Sequence, residues 1–251
     1  MTTVAYAAVT RSGLSFSSQL WMKPDIVPGL RNLTDGIKKE GAAASVQIGH
    51  CGNMSHRSIC GCMPVSANSG FNLYSPTLVR GLRRPEIIQI AKDFGQATRL
   101  AYESGFDAVE VHAGHGYLLS QFMSTWLNRR KDEYGGSFEN RLRFTRQAME
   151  EVMEVAAQKN MAVLVKMNMR DGFPGGMELD ESLEVARLLE QWGAHALVLS
   201  GGYVSRAPMY VMRGSMPIRT LTHYMPVGYL KLGVRMAGRF MIPSVPFEEG
   251  Y

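Results

Sequence analysis

Several common features are scarce or missing in this chain, and each absence excludes a class of protein. The chain has only three cysteines, Cys51, Cys60 and Cys62. A small and odd number argues against a disulfide framework and predicts a reducing, cytoplasmic location. No secretory signal and no apolar run of about 18 residues is found, so we expect a protein that is neither exported nor membrane-spanning.

One-sided charge is also missing. Lysine and arginine total 27 against 22 aspartate and glutamate, for a net charge of +5, and basic residues often have acidic neighbours, as in residues 129–133. Nucleic-acid binding needs a one-sided basic surface, so we expect no nucleic-acid partner. No Gly-x-Gly-x-x-Gly motif follows a predicted strand, which disfavours the dinucleotide-binding fold.

Apolar segments of strand length alternate with segments of helical period along the 251 residues, 45% of which are hydrophobic. Continuous apolar runs, typical of strands buried on both faces, occupy residues 42–48, 106–111, 161–167 and 195–199. Helices are predicted at residues 30–40, 85–104, 118–126, 138–158 and 180–192. This alternation predicts an α/β fold with a parallel sheet, either a TIM (β/α)8 barrel or a doubly wound sheet, in one domain covering residues 1–251.

The strands fall short of the eight that close a TIM barrel. We count four complete strands, and residues 4–9 resemble the end of another strand or the turn after it. Residues 49–84 show no period and are predicted to form a long loop. Residues 224–236 are predicted to form a further helix, with no strand after it. The pattern therefore indicates an incomplete barrel.

Three polar rings, which we call the mouth cluster, lie where the strand at 106–111 ends: His112, His115 and Tyr117. In α/β barrels the carboxyl ends of the strands carry the catalytic residues. Two imidazoles could hydrogen-bond one oxygen atom, and a phenol could deliver a proton. The rings could instead be satisfied polar groups in a glycine-rich turn. With His50 they could also be metal ligands, although no nearby carboxylate or cysteine completes a zinc shell.

Two further polar side chains lie in predicted strands. Gln47 is near the end of the strand at 42–48, where its amide could pair with the edge of a planar heterocycle or cap the strand. Lys166 is inside the strand at 161–167, where a charge is costly unless it is paired or faces a ligand. The lysine could stabilise an anionic cofactor or form a structural salt bridge.

The longest motif runs from residue 109 to residue 141 and contains VEVHAGHGYLLSQFM and NRRKDEYGGSFENR. It resembles the signature of the Old Yellow Enzyme, or NADH:flavin oxidoreductase, family. Residues 47–52, QIGHCG, are similar to the motif of the family's third strand. Residues 166–168 and 199–202 are similar to the ends of its fifth and sixth strands. The resemblance covers nearly the whole chain.

The resemblance implies an FMN-binding TIM barrel in which NADH or NADPH reduces the flavin, and the flavin then reduces a carbonyl-conjugated alkene. His112 and His115 would hold the carbonyl oxygen of a small enone or enoate, and Tyr117 would protonate its α-carbon. Gln47 would hydrogen-bond the flavin pyrimidine, and Lys166 would stabilise the reduced flavin near N1 and O2. A homo-oligomer is compatible with this picture.

The chain also departs from the family pattern. The family's first strand and its last two strands, whose glycine-rich ends cradle the FMN phosphate, have no counterpart in the sequence. We therefore expect a barrel truncated at both ends that binds FMN weakly or not at all by itself. The alternative to an active ene-reductase is a truncated, catalytically inactive remnant, and a metal-dependent hydrolase is a third hypothesis.

Overall fold

The secondary structure follows the predicted alternation in a computed structural model that describes residues 1–72 and 76–207, together with His223 and Leu232. The strands are β1 (Thr2–Ala8), β2 (Ala44–Gly49), β3 (Val65–Ser66), β4 (Gly70–Asn72), β5 (Thr77–Gly81), β6 (Ala108–His112), β7 (Ala162–Asn168) and β8 (Ala196–Ser200). The α-helices are α1 (Val27–Lys39), α2 (Arg57–Cys60), α3 (Arg84–Glu103), α4 (Leu118–Met123), α5 (Phe138–Lys159) and α6 (Leu179–Gln191).

The main sheet has the strand order β1-β2-β6-β7-β8, and every neighbouring pair is parallel. In its register Gln47 lies opposite Glu110, and His112 lies opposite Lys166. Because side chains alternate between the two faces of a strand, these four project from the same face. All the strands end at one edge of the sheet, as the predicted parallel α/β fold requires.

Helices α3 and α5 pack against each other and cover the outer face of the sheet, α3 over β2 and β6 and α5 over β7. The residues of α3 that recur at i, i+3 and i+4 are all buried: Ile87, Ile90, Ala91, Phe94, Ala97 and Ala101. Gly95 allows the two helices to approach, because a Cβ there would lie 3.0 Å from the carbonyl oxygen of Glu151.

The helix termini have the chemistry that their sequences predict. Pro85 stands in the first turn of α3, where a missing N–H costs nothing, and the Glu86 carboxylate accepts the backbone N–H of Arg83 at 2.8 Å. The hydroxyl of Ser137 accepts the N–H of Asn140 at 3.3 Å and begins α5. These caps fix where the two long helices start relative to the sheet.

The region 49–84 is more ordered than the sequence predicts. It contains a 3-10 turn (Gly52–Met54), α2 and the strands β3, β4 and β5, which form a small sheet of order β3-β5-β4. The prediction of one long loop is wrong because these elements are two to five residues long, too short for a period to show. Their pairing is also non-local and cannot be read from a local pattern.

The first residues form the seven-residue strand β1, where the sequence predicts the end of a strand or the turn after it. β1 pairs with β2 at Thr2–Val4 and again at Ala7 and Ala8, with a change of register between the two segments. Apart from Leu232, the helix predicted at 224–236 lies outside the described residues. Within the part of the chain that the structure describes, no helix has the length and apolarity needed to cross a bilayer.

Candidate active site at the carboxyl ends of the strands

The turn after β6 presents the mouth cluster. His115 adopts a left-handed conformation with φ of 59°, which is unfavourable for a residue with a side chain. Two hydrogen bonds hold it there: its N–H donates to Asn168 Oδ1 at 3.0 Å, and its carbonyl accepts the N–H of Val204 at 3.0 Å. Gly116 must be glycine, because its φ is 76° and a Cβ would lie 2.4 Å from the Tyr203 ring. Neighbouring strand ends therefore impose the shape of the turn.

The structure brings the three predicted rings of the mouth cluster together. The ring centroids of His112 and Tyr117 are 4.4 Å apart, and those of His112 and His115 are 5.0 Å apart with the rings nearly perpendicular. His112 is buried, whereas His115 and Tyr117 are partly exposed. His112 thus forms the buried floor of the cluster, and a small molecule could contact all three rings from the accessible side.

Both imidazoles of the mouth cluster are neutral at pH 7. Burial, the neighbouring His115 and the Lys166 ammonium hold the pKa of His112 well below its ordinary value. Burial and the same ammonium lower the pKa of His115 to about 4. His112 Nδ1 accepts the Gly114 N–H at 3.3 Å, so its ring proton resides on Nε2. His115 Nε2 lies 2.7 Å from Ser200 Oγ, which orients the second ring.

On the same face, Gln47, Glu110 and Lys166 form a second polar group, which we call the polar row. Gln47 Nε2 donates to Glu110 Oε1 at 2.5 Å, and Lys166 Nζ lies 3.5 Å from the same oxygen. The Gln47 and Glu110 residues are 5% and 4% exposed, while the Lys166 side chain is 26% exposed. Lys166 therefore has a structural ion pair and still reaches solvent or a ligand, so both sequence interpretations remain compatible with its position.

Several residues around these groups were missed by the sequence analysis. Tyr6 of β1 lies beside the mouth cluster, with ring centroids 5.3 Å from Tyr117 and 6.3 Å from His112. Its hydroxyl donates to the Gly13 carbonyl, and burial raises its pKa above the ordinary value. Strand alternation would have found Tyr6, but the register change in β1 hides the pattern.

Asn168 was also missed, although it directly follows the strand predicted at 161–167. Its Oδ1 accepts the His115 N–H, and its Nδ2 donates to Asp171 Oδ1 and to the Gly202 carbonyl, both at 2.8 Å. This fully buried amide ties together the turns after β6, β7 and β8. It positions the mouth cluster without belonging to it.

His50 is structural. Its Nδ1 accepts the Gly52 N–H at 2.9 Å, and its Nε2 is 3.0 Å from Ser12 Oγ. Burial lowers its pKa to about 3, so the ring is neutral. No group of three or more His, Cys, Asp or Glu side chains that could hold a metal ion occurs among the described residues. The metal hypothesis therefore gains no support from the described geometry.

Comparison with known proteins identifies the family. The NADH:flavin oxidoreductase / NADH oxidase family model matches residues 1–236, and this chain belongs to that family. The resemblance carried by residues 109–141 is thereby confirmed.

Two curated relatives and two solved structures show how far the similarity extends. The chain is 41% identical over 254 aligned positions to the 4,4'-dithiodibutanoate disulfide reductase of Rhodococcus erythropolis, covering 100% of this chain and 62% of that protein. It is 30% identical over 188 positions to the NADPH dehydrogenase of Bacillus subtilis, covering 75% and 54%. The chain thus spans about 60% or less of the length of these relatives.

Among solved structures, morphinone reductase in complex with tetrahydroNAD matches with a TM-score of 0.72 and 26% identity, over 78% of this chain and 60% of that one. The old yellow enzyme homologue of Zymomonas mobilis matches with a TM-score of 0.72 and 24% identity, over 80% and 60%. These likenesses confirm the predicted barrel fold, of which the described sheet contributes five parallel strands.

Proposed function

We propose that residues 1–251 are one FMN-linked barrel domain of an oxidoreductase that uses NADH or NADPH to reduce a carbonyl-conjugated alkene. The observation that carries the proposal is the mouth cluster, in which two neutral imidazoles and a phenol share one accessible surface. Membership of the NADH:flavin oxidoreductase family supplies the redox chemistry that this surface would serve.

The polar row fits one edge of a flavin. The pyrimidine ring of FMN presents carbonyl oxygens and an N–H, and the Gln47 amide can both donate and accept hydrogen bonds. The Lys166 ammonium, which remains partly exposed, supplies a positive charge beside the position of Gln47. FMN bound there would accept a hydride from the nicotinamide and transfer it to the alkene.

The mouth cluster would bind and protonate the substrate. Neutral imidazole donors at His112 and His115 can hydrogen-bond a carbonyl oxygen and stabilise the negative charge that develops on it. Because burial keeps both rings neutral, they contribute donors without placing an uncompensated cation in the site. Tyr117, 4.4 Å from the His112 ring, would donate its phenolic proton to the α-carbon.

The direct test supplies the purified chain with excess FMN and NADPH or NADH under anaerobic conditions and then adds cyclohexenone. We expect flavin absorbance to bleach on addition of the nicotinamide and to return as the alkene is consumed. If excess FMN leaves the enone unreduced, the proposal is wrong for this chain, and the catalytically inactive remnant is favoured.

A second candidate reaction is the reduction of a carboxylate-bearing disulfide. One relative is named a 4,4'-dithiodibutanoate disulfide reductase, and its similarity covers this whole chain. Cleaving such a bond adds two electrons and two protons to give two thiols, which the same nicotinamide and proton donor could supply. The observation that favours it is Arg206, an exposed guanidinium 4.1 Å above the Trp126 ring.

Arg206 could bind the substrate carboxylate. No carboxylate lies within salt-bridge distance of it among the described residues. The residue is exposed, and its guanidinium stacks on the Trp126 ring. Trp126 in turn contacts Tyr203, whose ring underlies the turn of the mouth cluster. A positive charge therefore stands on the same side of the barrel as the proposed proton donor.

The two reactions can be separated with Arg206→Gln. We expect KM for 4,4'-dithiodibutanoate to rise about tenfold, as loss of a charged hydrogen bond implies, with hydroxyethyl disulfide and cyclohexenone unaffected. Arg187→Gln, which removes a guanidinium paired with Glu184 on α6, is the matched control. Equal effects of Arg206→Gln on charged and uncharged substrates would exclude the carboxylate-binding role.

A further inference from the structure

Two cysteines outside the mouth cluster are held side by side. α2 ends at Cys60, and Gly61 turns the chain back with a left-handed φ of 72°. This turn places Cys62 Sγ 3.5 Å from Cys60 Sγ. Glycine is favoured at the turn, because its positive φ is a conformation that residues with a side chain rarely adopt. The backbone thus brings the two thiols into contact.

The separation suits a reversible disulfide. The sulfur atoms, 3.5 Å apart, need to approach by only about 1.5 Å to reach the S–S bond length of about 2.05 Å. A bond between residues so close in sequence closes a very short loop, which constrains the unfolded chain little. Such a bond gains little stability from chain entropy and is readily reduced again, the behaviour of labile rather than structural disulfides.

The two thiols differ in solvent exposure, so they can take different roles in a thiol–disulfide exchange. Cys62 is exposed, whereas Cys60 is 1% exposed and its thiol donates to the carbonyls of His56 and Cys62. An external disulfide can therefore reach Cys62 but not Cys60. The third cysteine, Cys51, is fully buried and its thiol donates to the Leu14 carbonyl.

We propose that Cys60 and Cys62 form a redox-active dithiol that exchanges with low-molecular-weight disulfides. Cys62, as the thiolate, attacks one sulfur of the disulfide, whose S–S bond breaks and releases one thiol. Cys60, as the thiolate, then attacks the Cys62 sulfur of the mixed disulfide and releases the second thiol. The protein loses two hydrogens as a Cys60–Cys62 disulfide, and the external disulfide is reduced to two thiols, so no other reactant is needed.

The surroundings of Cys62 set the pH dependence of this exchange. Arg11 and Arg80 lower its pKa, and Arg80 is itself paired with Glu86. Burial and the neighbouring Cys60 outweigh them and raise the pKa of Cys62 to about 11. Since the thiolate is the nucleophile, the rate should rise roughly tenfold per pH unit from neutral pH upward.

The test incubates the chain with oxidised glutathione and follows its intact mass and cysteine peptides, without FMN or nicotinamide. We expect the wild-type chain to lose two hydrogens, retain no glutathione and yield a Cys60–Cys62 peptide link. Cys60→Ser should stop at one glutathione on Cys62, and Cys62→Ser should react at least tenfold more slowly. Cys51→Ser, which removes the buried thiol, should behave as wild type.

Retention of glutathione on Cys62 in the wild-type chain, or loss of the link in Cys51→Ser, would overturn the proposal. Because the assay contains no flavin, nicotinamide or alkene, its outcome is independent of the proposed reductase activity.

Discussion

The polar row and the mouth cluster project from the same face of the same strands but satisfy their polar groups in different ways. In the polar row, Gln47 and Lys166 both contact one oxygen of Glu110, so an ammonium and a carboxylate neutralise each other inside the barrel. In the mouth cluster, His112 and His115 avoid charge altogether, because burial and the Lys166 ammonium lower their pKa values.

The comparison shows that two positions on the same face of one strand can differ in charge and in chemical role. Glu110 and His112 are neighbours on one face of β6, yet the first anchors an ion pair and the second is a neutral donor. The Lys166 charge acts on both the polar row and the mouth cluster, since it pairs with Glu110 and disfavours protonation of the imidazoles. We therefore propose that the polar row binds the flavin and that the mouth cluster carries out the substrate chemistry.

The largest expected effect comes from removing the proposed proton donor of the mouth cluster. Tyr117→Phe should slow alkene reduction by roughly 10²–10⁴-fold, the usual contribution of a positioned general acid, and leave flavin reduction by the nicotinamide intact. Anaerobic stopped-flow measurement of the two half-reactions checks this. Tyr102→Phe, on the exposed side of α3, is the matched control. Equal loss of both half-reactions would show that Tyr117 is not the proton donor.

The next effect concerns the polar row. Glu110→Ala should lower the free energy of unfolding by about 2–3 kcal/mol, because Gln47 and Lys166 lose their shared acceptor. Urea denaturation measures the change. Glu178→Ala removes an exposed carboxylate paired with Arg170 and should cost no more than about 0.5 kcal/mol. Similar losses in the two variants would mean that the polar row is not a buried network.

Lowering the pH should destabilise the mouth cluster. His115 has a folded pKa of about 4, below its ordinary 6.5, so the unfolded chain binds more protons between these values. The stability from the neutral ring is complete above pH 6.5 and is lost as the pH falls toward 4. Discounted for partial exposure, the loss is about 1–2 kcal/mol. Denaturation of wild type and His115→Asn across this range should show a steeper decline in wild type, and parallel curves would contradict the assignment.

The smallest expected effect concerns the hydroxyl that orients the His115 ring. Ser200→Ala removes the hydroxyl 2.7 Å from His115 Nε2 and should weaken the binding of a phenolic ligand about fivefold, in line with one neutral hydrogen bond. Spectroscopic titration with the phenol measures this. The exposed Ser17→Ala is the control and should bind as wild type. An unchanged affinity in Ser200→Ala would mean that this hydroxyl does not position the ring.

The mouth cluster could be located from the sequence because its three residues lie within six positions after an apolar strand. The role of Glu110 could not, since its contacts with Gln47 and Lys166 cross to the strands on either side. Which residues meet across strands depends on the register, and no local pattern encodes it. Tyr6 could not be predicted as a site residue for a related reason, because the register of β1 changes between Val4 and Ala7.

Long elements were predicted well and short ones poorly. α3 and α5, of 20 and 22 residues, could be predicted from their period, from Pro85 in the first turn of α3 and from the N-cap Ser137 of α5. The strands β3, β4 and β5 carry two to five residues each and pair only after the chain has folded back. The same region holds the Cys60–Cys62 pair, whose proximity depends on one left-handed glycine.

The division between the polar row and the mouth cluster is tested most directly by His112→Ala combined with His115→Ala. Phenol and FMN affinities are measured on the same protein, the phenol in the presence of saturating FMN. We predict that phenol binding weakens roughly 100-fold, as loss of two hydrogen bonds implies, while FMN affinity changes by no more than about twofold. Unchanged phenol affinity, or an equal loss of FMN affinity, would contradict the assignment of substrate oxygen to the two imidazoles.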